Sequence, residues 1–72
     1  MNDELEARFP LLRAFRYEHL PEHLQAISRP FCELARQVAE RCGGSRFSGM
    51  ETSAALRKLR EAKDCAVTAG LA

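Results

Sequence analysis

Pro21-Glu22-His23-Leu24-Gln25-Ala26-Ile27-Ser28-Arg29-Pro30-Phe31-Cys32-Glu33-Leu34-Ala35-Arg36-Gln37-Val38-Ala39-Glu40-Arg41-Cys42 is the stretch on which the fold turns. Apolar side chains fall at Leu24, Ile27, Phe31, Leu34, Ala35, Val38 and Cys42, the alternating three-and-four spacing of one helical face. Pro21 suits a first helical position and Gly43 a left-handed end, so a helix over 21–42 is predicted. Glu33 with Arg36, and Arg36 with Glu40, sit at separations that permit weak ion pairs on the wet side. Pro30 interrupts the pattern, because an interior proline removes one backbone bond and clashes with the carbonyl of Ala26, at roughly 3 kcal/mol in an unprepared helix. Ser28 either bonds to the freed backbone or caps a second helix starting at Pro30; the unbroken apolar stripe favours one kinked helix.

Downstream, Ser48-Gly49-Met50-Glu51 has the form of a capping box and opens a second helix over 50–69. Its apolar positions Ala55, Leu59, Ala62 and Ala66, flanked by Leu56 and Val67, make a narrow stripe that runs to Gly70, and the small alanines permit close approach of another helix. A loop from Gly43 to about Ser48 joins the two as an antiparallel hairpin. Upstream lies a lead-in of residues 1–20, in which Asn2 or Asp3 caps a short helical turn through Arg8 that Pro10 ends. The expected class is all-α: a short N-terminal helix or turn plus an antiparallel two-helix hairpin. Each helix of a lone hairpin leaves apolar flanks uncovered, and Phe9, Leu11, Leu12 and Phe15 of the lead-in need cover as well. A homo-oligomer is the expected remedy.

The chain has 72 residues, enough for one small domain without a repeat. A domain of this size hides only about 60% of the surface its unfolded chain exposes. Such domains add disulfides, a metal or a partner. The three cysteines, Cys32, Cys42 and Cys65, are odd in number and lack a Cys-x-x-Cys pair, which argues against a disulfide framework or zinc knuckle. Reduced thiols in cytoplasm fit better, with Cys32 and Cys65 expected as small buried hydrophobes. The acidic start Met1-Asn2-Asp3-Glu4-Leu5-Glu6 has no apolar run, so neither signal peptide nor membrane anchor is expected, and the protein should be soluble. A formal net charge of +1 does not provide the wide basic surface that duplex DNA requires.

His19-Leu20-Pro21-Glu22-His23 spells a metallopeptidase zinc pattern, but that chemistry needs both imidazoles on one regular helical turn plus a distant third ligand, whereas Pro21 marks a helix start. Gly43-Gly44-Ser45-Arg46 lacks the lysine-serine ending and preceding strand of a phosphate cradle and reads as a loop. No Ser/His/Asp or Cys/His constellation can be assembled, so no enzyme and no cofactor are expected. Binding groups are better represented. Phe15, Tyr17 and His19 alternate before the first helix and would point one way in an extended segment, giving Tyr17 either a stacking role or a place in a subunit contact. Phe15 itself reads as core. Arg29, beside Ser28 and the proline bend, could reach a phosphate from a fixed base, while Arg57, Lys58, Arg60 and Lys63 read as a solvated face balanced by Glu61 and Asp64.

Tyr17 through Phe31, Leu34-Ala35 and Ala55 through Asp64 resemble the helical-hairpin family of phage immune-evasion sponges, which includes the type-two anti-CBASS protein and the hairpin core of the type-one anti-Thoeris protein. The resemblance implies sequestration, without cleavage, of cyclic dinucleotides, cyclic trinucleotides or cyclic ADP-ribose isomers made by bacterial defence enzymes. It further implies a homohexamer in the cytoplasm of the infected bacterial host. In one branch of the family an aromatic-x-Tyr-His-Pro-Pro segment precedes a helix with Pro-Glu, and Phe15-x-Tyr17 and Pro21-Glu22 match in order. The tyrosine there stacks on a base, which passes that role to Tyr17, with His19 beside it. The family's basic position falls on Ser28 with Arg29 directly after, so either Arg29 substitutes for it or the pocket differs. Lys58 falls at a matching lysine of the second helix. The implied ligand-binding set is therefore Tyr17, His19, Ser28, Arg29 and Lys58, with no metal, no membrane and no duplex nucleic acid as partner. The rival readings are a helical self-assembly or protein-interaction module with no small-molecule ligand, and a small nucleic-acid-binding regulator.

Overall fold

In the computed structural model, which describes residues 3–42 and 49–71, every regular element is helical. α1 spans Asp3–Arg8, a 3-10 turn spans Pro10–Phe15, α2 spans Glu22–Cys42 and α3 spans Gly49–Gly70. Asn2, the left-handed end at Gly43, the connecting loop and Ser48 of the capping box lie outside the described residues. The all-helical class expected from periodicity is what the chain adopts.

α2 begins where Pro21 offers its carbonyl to the backbone N–H groups of Leu24 and Gln25, both at 2.9 Å. Gln25 reaches back from the first turn, donating its side-chain amide to the Leu20 carbonyl at 2.8 Å and the Glu18 carbonyl at 3.4 Å. α2 passes through Pro30 as one helix, so a second helix does not start there. Pro30 and Ala26, whose carbonyl loses its partner, are both on the exposed side, where water can satisfy that oxygen. Ser28 does not assist: its hydroxyl is wholly buried and has no hydrogen-bond partner.

α2 and α3 run side by side in opposite directions. At one end Thr52, buried in the first turn of α3, donates its hydroxyl to the Cys42 carbonyl at 3.1 Å and satisfies one of the orphan acceptors that close α2. At the other end Gly70 abuts Leu24 and Ile27, and a Cβ there would overlap the Ile27 side chain. The inward face of α3 is Thr52, Leu56, Leu59 and Lys63; Ala55 and Ala62, placed on the expected stripe, face outward. On α2 the inward line is Leu24, Ser28, Ala35 and Ala39, while Leu34 and Cys42 are exposed.

The lead-in finds its cover within the same chain. Leu5, Phe9, Leu12 and Phe15 form one core with Ala35, Ala39 and Leu56, and Phe15 and Leu56 have no exposed surface. Alanines on α2 leave the volume that these two large side chains fill. Lys63, expected on a solvated face, instead lays its stem across the core edge and donates Nζ to the Ala14 carbonyl at 2.8 Å, with Asp64 Oδ1 at 3.1 Å. The molecule measures 40 × 23 × 15 Å, and 15 Å is little more than one helix diameter, so both long helices keep a wide face in solvent.

Candidate functional site

The connection into α2 is a turn, contrary to the extended segment expected for residues 15, 17 and 19. The Leu20 N–H bonds the Tyr17 carbonyl at 3.0 Å, and the Glu18 carboxylate accepts the Tyr17 N–H at 3.1 Å. Its own backbone N–H above all, helped by that of Tyr17 and by Arg16 and His19 nearby, holds the Glu18 carboxyl below its usual pKa against the opposing effect of desolvation. Phe15, Tyr17 and His19 differ in burial: Phe15 ends the 3-10 turn in the core, Tyr17 is half-buried and His19 is exposed.

The remaining expected contacts are spread over the helices. Ser28 and Arg29 are neighbours pointing opposite ways, Ser28 into the protein and Arg29 into solvent, where its Nε lies 3.1 Å from Glu33 Oε1. Burial takes Ser28 out of reach of any ligand on this surface. Lys58 is exposed on the outer side of α3. Among the described residues no hydrogen bond or ion pair joins any two of Tyr17, His19, Ser28, Arg29 and Lys58, and no group of three or more His, Cys, Asp or Glu side chains gathers as a metal site.

A cationic cluster lies outside the set of residues expected from the sequence. Glu6 of α1, only 9% exposed at its side chain, takes Arg16 Nη2 on Oε1 at 2.7 Å and Arg36 Nη2 on Oε2 at 2.9 Å, with Arg13 Nε 3.6 Å from Oε1. Arg13 and Arg16 share a side because three residues make one turn of a 3-10 helix. Arg36 arrives from the middle of α2, thirty residues from Glu6 in sequence. Three guanidiniums meet on this one carboxylate, two of them from the residue run that leads directly to Tyr17, where the Glu18 carboxylate also lies in the field of Arg16. Beside Arg36, burial pushes the Cys32 thiol up from its usual pKa, with Glu18 and Glu33 adding to the shift and Arg36 opposing it. Cys65, expected to be buried, is exposed along with Cys42.

Shallow depressions lie elsewhere, one along Asp64, Cys65, Thr68 and Ala69 and another among Leu11, Arg57, Arg60, Glu61 and Asp64. No described helix is long and apolar enough to cross a membrane. No family model, curated protein or solved structure matches the chain.

Proposed function

We propose that this protein is a phage immune-evasion sponge: it binds a cyclic di- or trinucleotide, or a cyclic ADP-ribose isomer, used as a signal in bacterial antiphage defence, and holds it without cleavage in the host cytoplasm. The observation that carries the reading is Tyr17, an aromatic ring half-buried in a backbone-fixed turn directly after a cluster of guanidiniums. A rigid aromatic face for a base beside cations for phosphate is the equipment for holding a nucleotide. Removal by binding alone needs abundance and affinity rather than turnover, and the side chains around Tyr17 supply contacts rather than a nucleophile with its base.

Assembly from identical copies, up to the hexamer the resemblance implies, belongs to the same proposal. The support is the outer surface of the helices: Met50 is 83%, Leu71 67% and Leu34 47% exposed, and Ala55, Ala62 and Ala69 line an exposed side of α3 narrow enough for a second helix to approach. The same exposed groups favour the second reading, a self-assembly module without a ligand.

Calorimetry with a panel of cyclic di- and trinucleotides and cyclic ADP-ribose isomers separates the two. A sponge gives saturable heat with at least one compound and returns it unchanged on heating. A scaffold gives none.

A further inference from the structure

The Glu6 cluster can be a purely structural tie between α1, the 3-10 turn and α2, or it can be a prepared anion seat, and its stoichiometry distinguishes the two. A tie needs one guanidinium per carboxylate face. Here a single carboxylate, with about four lone-pair positions, meets three guanidiniums that bring about fifteen N–H donors between them. Arg13 is the surplus member: its Nε stands 3.6 Å from Glu6, beyond hydrogen-bond length, and its side chain is 65% exposed. Arg16 makes the short bond to Glu6 yet keeps 56% of its side chain exposed, and Arg36 keeps 31%. The carboxylate is buried beneath them, so it fixes the forks from below while the excess charge faces outward.

We infer that Arg13, Arg16 and Arg36, gathered on Glu6, form a seat for the phosphates of a ligand carrying two negative charges. Guanidinium forks match phosphate oxygens in pairs, and three of them gathered at one place suit two phosphodiesters or one pyrophosphate linkage, either of which carries two negative charges. Glu18, the nearest acidic group in the run, accepts the backbone N–H of Tyr17 and keeps its negative charge in the field of Arg16, so it offsets part of the excess. The inference rests on the messenger reading for the identity of the ligand. It relocates the phosphate contact from Arg29, a single guanidinium with Glu33 at its Nε, to three gathered guanidiniums outside the set suggested by resemblance.

The test is calorimetry of the whole chain with the cyclic nucleotide panel and, separately, with inorganic pyrophosphate, for the wild type and for Arg13→Ala, Arg16→Ala and Arg29→Ala. Loss of one charge-assisted contact should weaken binding about ten- to a hundredfold for Arg13→Ala and Arg16→Ala. Arg29→Ala should stay within about threefold. Arg13→Ala should leave the melting temperature unchanged, since it breaks no short bond, so its effect is not one of folding. Cyclic nucleotide binding that survives Arg13→Ala and Arg16→Ala overturns the seat and leaves the sponge standing. Pyrophosphate binding that needs Arg13, with no cyclic nucleotide bound, upholds the seat and ends the sponge. No heat with any of these probes overturns the seat.

Discussion

Ser28 offers a prediction whose sign separates this structure from its alternatives. Replacing it by alanine removes a hydroxyl that is wholly buried and has no partner, although a mid-helix serine ordinarily bonds the carbonyl four residues back, here that of Leu24. A buried polar group left unsatisfied costs about 1–3 kcal/mol, and alanine adds a few tenths in helix propensity. The space vacated by one oxygen offsets a fraction of this. Ser28→Ala should therefore stabilise the fold by about 1–2 kcal/mol, raising the melting point by roughly 4–8 °C for each kcal/mol in a domain this small. Urea unfolding followed by helical circular dichroism measures it. A loss of 1 kcal/mol or more would refute the reasoning, because it would mean that the hydroxyl is bonded in the folded protein. The same variant should bind any cyclic nucleotide as the wild type does, and a tenfold loss would put Ser28 back into the pocket.

Glu6→Gln keeps the shape but removes the charge on which three arginines converge, and should cost roughly 1–3 kcal/mol in urea unfolding at low salt, less at high salt, since the arginines remain partly in water. Lys63→Met keeps the apolar stem but leaves the Ala14 carbonyl unpaired, for a predicted loss of about 1–2 kcal/mol in the same assay. Under native conditions Cys42 and Cys65 should be alkylated ahead of Cys32, whose thiol is half-covered and pushed up in pKa; peptide mass spectrometry against time reads the order. Tyr17 is the only tyrosine and there is no tryptophan, so intrinsic emission reports its turn alone. The Glu18 carboxyl is depressed in the folded chain, so its hold on the Tyr17 N–H is complete above the ordinary carboxylate value of 4.5 and is lost only as pH falls through a lower one. Tyrosine emission should accordingly stay flat through pH 4.5 and change below it.

The all-helical class was legible because leucine, isoleucine, phenylalanine and valine recur at helical spacing along α2 and two prolines and the glycines punctuate the rest. The phase of α3 was not. Alanine serves equally inside and outside, so a stripe through Ala55 and Ala62 fits the helical period as well as the true one through Leu56, and the polar Thr52 and Lys63 lie outside it. Their burial depends on the Cys42 and Ala14 carbonyls, ten and forty-nine residues away, which no local pattern records. The cover of the lead-in was not legible either, because apolar spacing does not tell whether Phe9, Leu11, Leu12 and Phe15 pack on their own hairpin or on another subunit. Ala35 and Ala39 leave room there for Phe15 and Leu56 of the same chain. Of the candidate site, Tyr17 and Arg29 emerged accessible, whereas Ser28 did not. The Glu6 cluster had one visible sign, the three-residue spacing of Arg13 and Arg16, but Arg36 joins them only through the tertiary fold.

Retention and recovery of a radiolabelled ligand test the central claim most directly. The protein is loaded with each cyclic nucleotide, washed on a filter, heated, and the released label chromatographed. The account predicts that at least one compound is retained in proportion to protein and released as the intact ring. Retention of none, or release of a linear product, would contradict it.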